Sequence, residues 1–220
     1  MNKKQRKKLV IGIIILLISI SVAGVIINYF FSKPDKEEIF KIGYKKTTAD
    51  IAYENGVIIK EEFLTVNPYS RPGTQIKEVN NIVVHYVANP GSTAEDNRNY
   101  FEGLAESGET YASSHYVIGL EGEIIQCVPL NEVAYCSNDR NDDTISIEVC
   151  HPESDGKFTE DTYNSLVMLC AWLCDAYQLK SSDLIRHYDI TGKVCPKYFV
   201  DNPDKWDDFK SDVKKMMDKF

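Results

Sequence analysis

The 220-residue chain reads as an α/β protein, a mixed central β-sheet flanked by helices and preceded by one N-terminal transmembrane helix. Three observations predict this. Stretches of strand character and of helical spacing alternate from about residue 81 to the C-terminus. A hairpin sits among them, which a doubly wound parallel sheet would not contain. Finally, Leu9 to Phe31 is a 23-residue run without a charge, long enough to cross a bilayer with some tilt.

That run sets the domain plan. Lys3, Lys4, Arg6, Lys7 and Lys8 precede it and the mixed segment Lys33 to Glu38 follows it, so residues 1–8 are expected in the cytoplasm and everything after Phe31 outside. A cleaved signal peptide ending at Ser21-Val22-Ala23 is the alternative, but the apolar run continues to Phe31, long for such a segment. Either way the remainder is exported. Residues 32–61 read as a stalk or lead-in and residues 62–220 as the folded domain, expected to act as a monomer held at the membrane by its anchor. Residues 1–40 carry a net charge of +4, which leaves −12 for the rest. Nucleic acid is therefore excluded as a partner, since phosphate neutralisation needs clustered Lys and Arg.

The elements follow in order. Asp50 to Phe63 holds short strands or a helix, and Asn67 to Gly73 is turn chemistry with two prolines and a glycine. Asn81 to Val87 contains a continuous apolar run, as expected of a central strand covered on both faces. Thr93 caps the next helix, with Glu95 and Asp96 in its positive first turn and Tyr100, Phe101 and Leu104 on its apolar face. Ser114 to Gly119 and Gly122 to Val128 form two hairpin strands. Thr144 to Cys150 alternates, with Ile145, Ile147 and Val149 towards the core and Glu148 on the opposite face. Thr159 caps a helix whose Leu166, Leu169, Cys170, Leu173 and Tyr177 recur at helical spacing. A last amphipathic helix carries Trp206, Phe209, Val213 and Met216 or Met217.

Chemistry concentrates between Arg186 and Phe199, a loop-like run in which His187, Lys193 and Cys195 fall within nine residues. Imidazole and thiolate are zinc-type donors. Gly192 lets the backbone turn, and Pro196 stops a helix from running through. A third ligand must come from elsewhere, and His85, at the end of the central strand, is the candidate; His115 could replace it or line the pocket. His151, before Pro152, is assigned to the surface. Three ligands leave one position open, the mark of a catalytic zinc, which lowers the pKa of bound water to about 7. A lysine two residues from a metal cysteine makes sense where negative charge develops during reaction, so Lys193 is the candidate oxyanion stabiliser. Glu148 is the candidate acid–base carboxylate.

Six cysteines outside a cell would ordinarily give three disulfides. With Cys195 assigned to metal, an odd number remains, so mostly reduced thiols and a host living with little oxygen are expected. Cys170 and Cys174 read as packing residues on one helix. The closest cysteine pair is not Cys-x-x-Cys, which argues against a thiol-redox protein.

His85 in a strand, Ser113-Ser114-His115-Tyr116, Ser146-Ile147-Glu148-Val149, and His187 with Lys193 and Cys195-Pro196 together resemble the zinc-dependent N-acetylmuramoyl-L-alanine amidases, the amidase-2 family that shares its fold with peptidoglycan recognition proteins. The resemblance covers about residues 62 to 215. It implies His85, His187 and Cys195 as zinc ligands, Glu148 and Lys193 as catalytic residues, and the muramyl–L-alanine amide of peptidoglycan as substrate. Some phage-type members carry a catalytic tyrosine immediately before the position of His115; Ser114 stands there in this chain, which shifts the weight onto Glu148. A peptidoglycan-binding receptor of the same fold is the alternative, but such receptors typically lack the cysteine that Cys195 supplies.

Overall fold

The computed structural model describes residues 50–52 and 58–219; the expected anchor, and most of the lead-in before residue 58, lie outside them. Seven strands form one mixed sheet: β1 (Asp50–Ala52), β2 (Ile58–Glu61), β3 (Asn81–Val84), β4 (Tyr116–Ile118), β5 (Ile124–Gln126), β6 (Thr144–Val149) and β7 (Leu184–Arg186), in the order β1-β2-β5-β4-β6-β3-β7. The β1–β2 and β4–β5 pairs are antiparallel and the rest parallel. The sheet thus begins before residue 62, where the sequence places the start of the domain. No helix among the described residues is long and apolar enough to cross a membrane.

Helices α1 (Ala94–Ser107), α2 (Glu160–Ala176), α3 (His187–Thr191), α4 (Lys197–Asp201) and α5 (Pro203–Met217) complete the fold. The caps follow the sequence signals. Thr93 and Asp96 close a capping box at α1, and the Thr159 hydroxyl accepts from Thr162 N at α2, each satisfying a backbone N–H the helix itself leaves open.

The two faces of the sheet differ. On one, Ile145, Ile147 and Val149 of β6, with Ile82 and Val84 of β3, pack under α2 and α5, where Phe199, Trp206 and Phe209 stack at centroid distances of 5.3–5.4 Å. Cys170 and Cys174 are buried there as packing residues. On the other, a smaller apolar group that includes Leu64, Phe101, Val117 and Ile125 lies under α1, beside buried Ser114, His115 and Ser146.

The register of three adjacent parallel strands positions the chemistry. Val84 pairs with Ile147 on one side and with Arg186 on the other. One residue further along each strand stand Glu148, His85 and His187, a row across the sheet at the strands' carboxyl ends, the usual place for sites in α/β sheets.

Candidate active site

The segment after β7 is more ordered than a loop. Arg186 ends the strand, His187 opens α3, and Gly192 at φ +78° caps that helix by donating its N–H to Tyr188 O at 2.8 Å. Tyr188 N donates to Cys195 O at 2.9 Å, so the chain doubles back and sets Cys195 beside the residue that precedes Tyr188. No helix runs through Pro196, as its ring and missing N–H dictate; it stands at the N-cap of α4.

His85, His187 and Cys195 each offer a donor atom, and these atoms lie within 4.8 Å of one another. His85 Nδ1 is 3.7 Å from Cys195 Sγ, and the two imidazoles meet edge to face with centroids 4.7 Å apart. All three residues are buried. The Nδ1 of His187 is buried and has no hydrogen-bond partner among the described residues, an arrangement that would be costly unless something binds there. Two imidazoles, one thiol and an unpartnered nitrogen fit a metal ion.

The electrostatics agree. Burial, then His187, then Lys193 push the pKa of His85 well below its ordinary value, and burial and Lys193 lower that of His187, so both rings stay neutral with a lone pair to offer. Burial, reinforced by the Glu148 charge, pushes the Cys195 thiol up to about 12, against a Tyr86 backbone hydrogen bond. A metal is what would turn that thiol into a thiolate.

Glu148 stands next to His85, and its Oε1 accepts from Cys136 Sγ at 3.5 Å. Its Oε2 is buried with no partner among the described residues. Burial raises its pKa to about 7, with the Cys136 hydrogen bond and Lys193 opposing. A carboxyl poised there can both take and return a proton near neutrality. Glu148, Lys193, His85 and His187 line one cavity of about 380 Å³, walled by Phe101, Tyr111 and Tyr135. Tyr111 is exposed and lies between Tyr69 and Tyr135 at 5.4 and 5.5 Å. A larger cavity of about 530 Å³ lies between α2, α4 and α5. Its Lys205, Asp208, Asp212 and Lys215 pair among themselves, and no His or Cys lines it, so the smaller cavity is the chemical one.

Two histidines fall elsewhere than expected. His115 does not reach the metal-ligating group. Its Nδ1 accepts from Ser146 N of β6 at 3.0 Å and its Nε2 donates to Glu132 O in the loop after β5 at 2.9 Å, so both nitrogens are spent on structural hydrogen bonds. His151 is not on the surface: it is buried, stacked on Tyr86 at 5.0 Å, with Nδ1 2.7 Å from Glu153 O. A proline neighbour said nothing about a ring lying over Tyr86.

Sequence reasoning also missed the turn at residues 136–141. Cys136 meets Glu148, Ser137 Oγ lies 3.5 Å from His85 Nε2, and Asn138 Oδ1 accepts from His187 Nε2 at 2.8 Å. The string Cys-Ser-Asn-Asp-Arg-Asn is loop chemistry with no spacing to mark it.

Residues 75–198 match the family model described as N-acetylmuramoyl-L-alanine amidase. The chain is 36% identical over 181 residues to the N-acetylmuramoyl-L-alanine amidase BlyA of Bacillus subtilis. It is 34% identical over 174 residues to CwlL, a Bacillus licheniformis protein of the same description. Each alignment covers 73% of this chain and 48% of the relative, so the chain spans about half the length of the curated relatives it matches. Among solved structures, the catalytic domain of XlyA superposes with a TM-score of 0.60 at 28% identity, covering 70% of this chain and 98% of that one.

Proposed function

The chain belongs to the N-acetylmuramoyl-L-alanine amidase family, and from that premise we propose that it hydrolyses the amide between N-acetylmuramic acid and L-alanine in peptidoglycan, with zinc as cofactor. The observation that carries the reading is the convergence of His85, His187 and Cys195 beside Glu148 and Lys193 in one cavity. Zinc held by those three side chains would supply Lewis acidity and a nucleophilic water at neutral pH.

The remaining chemistry belongs to the protein. Glu148 accepts a proton from the attacking water through the unpartnered Oε2 and returns it to the departing amine nitrogen of L-alanine, so water is consumed and one amide becomes a carboxylic acid and an amine. As water adds to the carbonyl carbon, negative charge grows on the carbonyl oxygen, and the Lys193 ammonium stabilises it; one such donor contributes about 3 kcal/mol in related chemistry. Tyr111 and Tyr135 offer flat apolar faces of the kind that pack against sugar rings. The basic residues 1–8 and the uncharged run of residues 9–31 would hold the domain on the outer side of the membrane, as a single-pass protein.

Digestion of purified peptidoglycan, followed by mass analysis of the products, tests the reaction. Free stem peptides beginning with L-alanine are the expected products. New reducing sugar ends in place of them, or retention of peptidoglycan without any cleavage, would contradict it; the second result is what a receptor of this fold would give.

A further inference from the structure

The 136–141 turn places three consecutive residues against three different reactive side chains, and the shortest of these contacts has a chemical consequence. Asn138 Oδ1 lies 2.8 Å from His187 Nε2. A carbonyl oxygen can only accept, so Nε2 must carry the proton and Nδ1 must keep its lone pair. That Nδ1 is the buried atom without a partner among the described residues. The reverse amide orientation would put the proton on Nδ1 and close the site to a metal.

We infer that Asn138 is a positioning residue that holds His187 in its metal-binding tautomer and aim. The backbone supports this independently. Asn138 sits at φ +52°, a left-handed conformation that Asn adopts more readily than most residues and that persists where surrounding structure enforces it. The enforcement is visible. Asn141 Oδ1 accepts from Cys136 N at 3.0 Å and Ser137 N at 2.6 Å. Arg140 donates to Asn81 Oδ1 at 2.6 Å and binds Asp143 at 2.8 Å. Asn81 opens β3, the strand that His85 directly follows, so the turn that aims one histidine is tied to the strand that presents the other. Ser137 Oγ, 3.5 Å from His85 Nε2, is the weaker counterpart of the same arrangement. Partners of this kind fix ring orientation in metal sites generally.

The inference rests on the metal-site reading above, so its test avoids substrate. In the full-length chain freed of metal, imidazole nitrogen NMR shifts should show His187 as a single Nε2-protonated tautomer. Asn138→Gly keeps the left-handed backbone but removes the acceptor, and should give mixed tautomers and about 10–100-fold weaker zinc binding in chelator competition. Asn138→Asp restores an acceptor and should bind zinc nearly as the wild type does. Mixed tautomers in the wild-type chain, or undiminished zinc affinity in Asn138→Gly, would overturn the role. Should Asn138→Gly fail to fold, the wild-type spectrum still decides. A chain with the expected tautomer and zinc affinities that cleaves no peptidoglycan keeps this inference and loses the amidase reading.

Discussion

The two faces of β6 obey different rules. Ile145, Ile147 and Val149 face a layer of hydrocarbon under α2 and α5, where non-directional burial contributes roughly 1.5–3 kcal/mol per large side chain. Thr144, Ser146 and Glu148 alternate with them and are also largely covered, but by polar partners that must be matched atom by atom. Ser146 is matched by His115. Glu148 is matched at Oε1 and, among the described residues, unmatched at Oε2. One face closes the fold, and the other, where polar atoms go unpaired, opens into the cavity. Stability and chemistry are thus separated by a single residue's step along one strand.

Substitutions can break that comparison, and the largest effect is expected where the site depends on one atom. Cys195→Ser should abolish metal binding and essentially all turnover while leaving the fold intact, measured by metal content and circular dichroism. Retained zinc at wild-type stoichiometry would mean that the thiol is not a ligand. Glu148→Ala should keep the metal and lose about 10²–10⁴-fold in turnover, without loss of thermal stability, because it removes an incompletely satisfied buried carboxyl. Near-normal turnover would remove Glu148 from its role. On the opposite face the pattern reverses. Ile147→Ala, at a position with no solvent exposure, should cost about 2–5 kcal/mol of unfolding free energy while the folded fraction keeps its turnover per bound zinc.

The smallest effect sharpens the contrast on the polar face itself. Burial lowers the His115 pKa from 6.5 to about 4, partly offset by its hydrogen bond to the Glu132 carbonyl. Between those values the unfolded chain binds a proton that the folded one refuses, so this contribution to stability is present above pH 6.5 and is lost as pH falls towards 4. In denaturant titrations at pH 7 and pH 5, His115→Gln should show a smaller loss on acidification than the wild type. Equal losses would show that folding leaves the His115 pKa unshifted and would contradict this contribution.

How much of this was legible in the sequence follows the same division. The periodic face was readable, because Ile145, Ile147 and Val149 repeat every second residue and the caps Thr93 and Thr159 announce their helices. His85, Glu148, His187 and Cys195 could be singled out because reactive side chains stood out at strand ends or in close spacing. Their meeting was not readable, since it depends on β6, β3 and β7 lying side by side in one register. Still less visible was the 136–141 turn. Its contacts to His85 and His187 span 52 and 49 residues and join side chains that carry no periodic signal. His115 and His151 misled because what surrounds each ring comes from residues distant in sequence: Glu132 and Ser146 hold the His115 nitrogens, and Tyr86 covers the His151 ring.

The central claim is that His85, His187 and Cys195 hold a zinc ion on which amide hydrolysis depends. The most direct test incubates the full-length chain with purified peptidoglycan, first as prepared, then after chelation, then with zinc restored, and counts newly exposed L-alanine amino termini. The account predicts release that chelation abolishes and zinc restores. Release that persists through complete chelation would contradict it, as would no release from a protein with zinc bound.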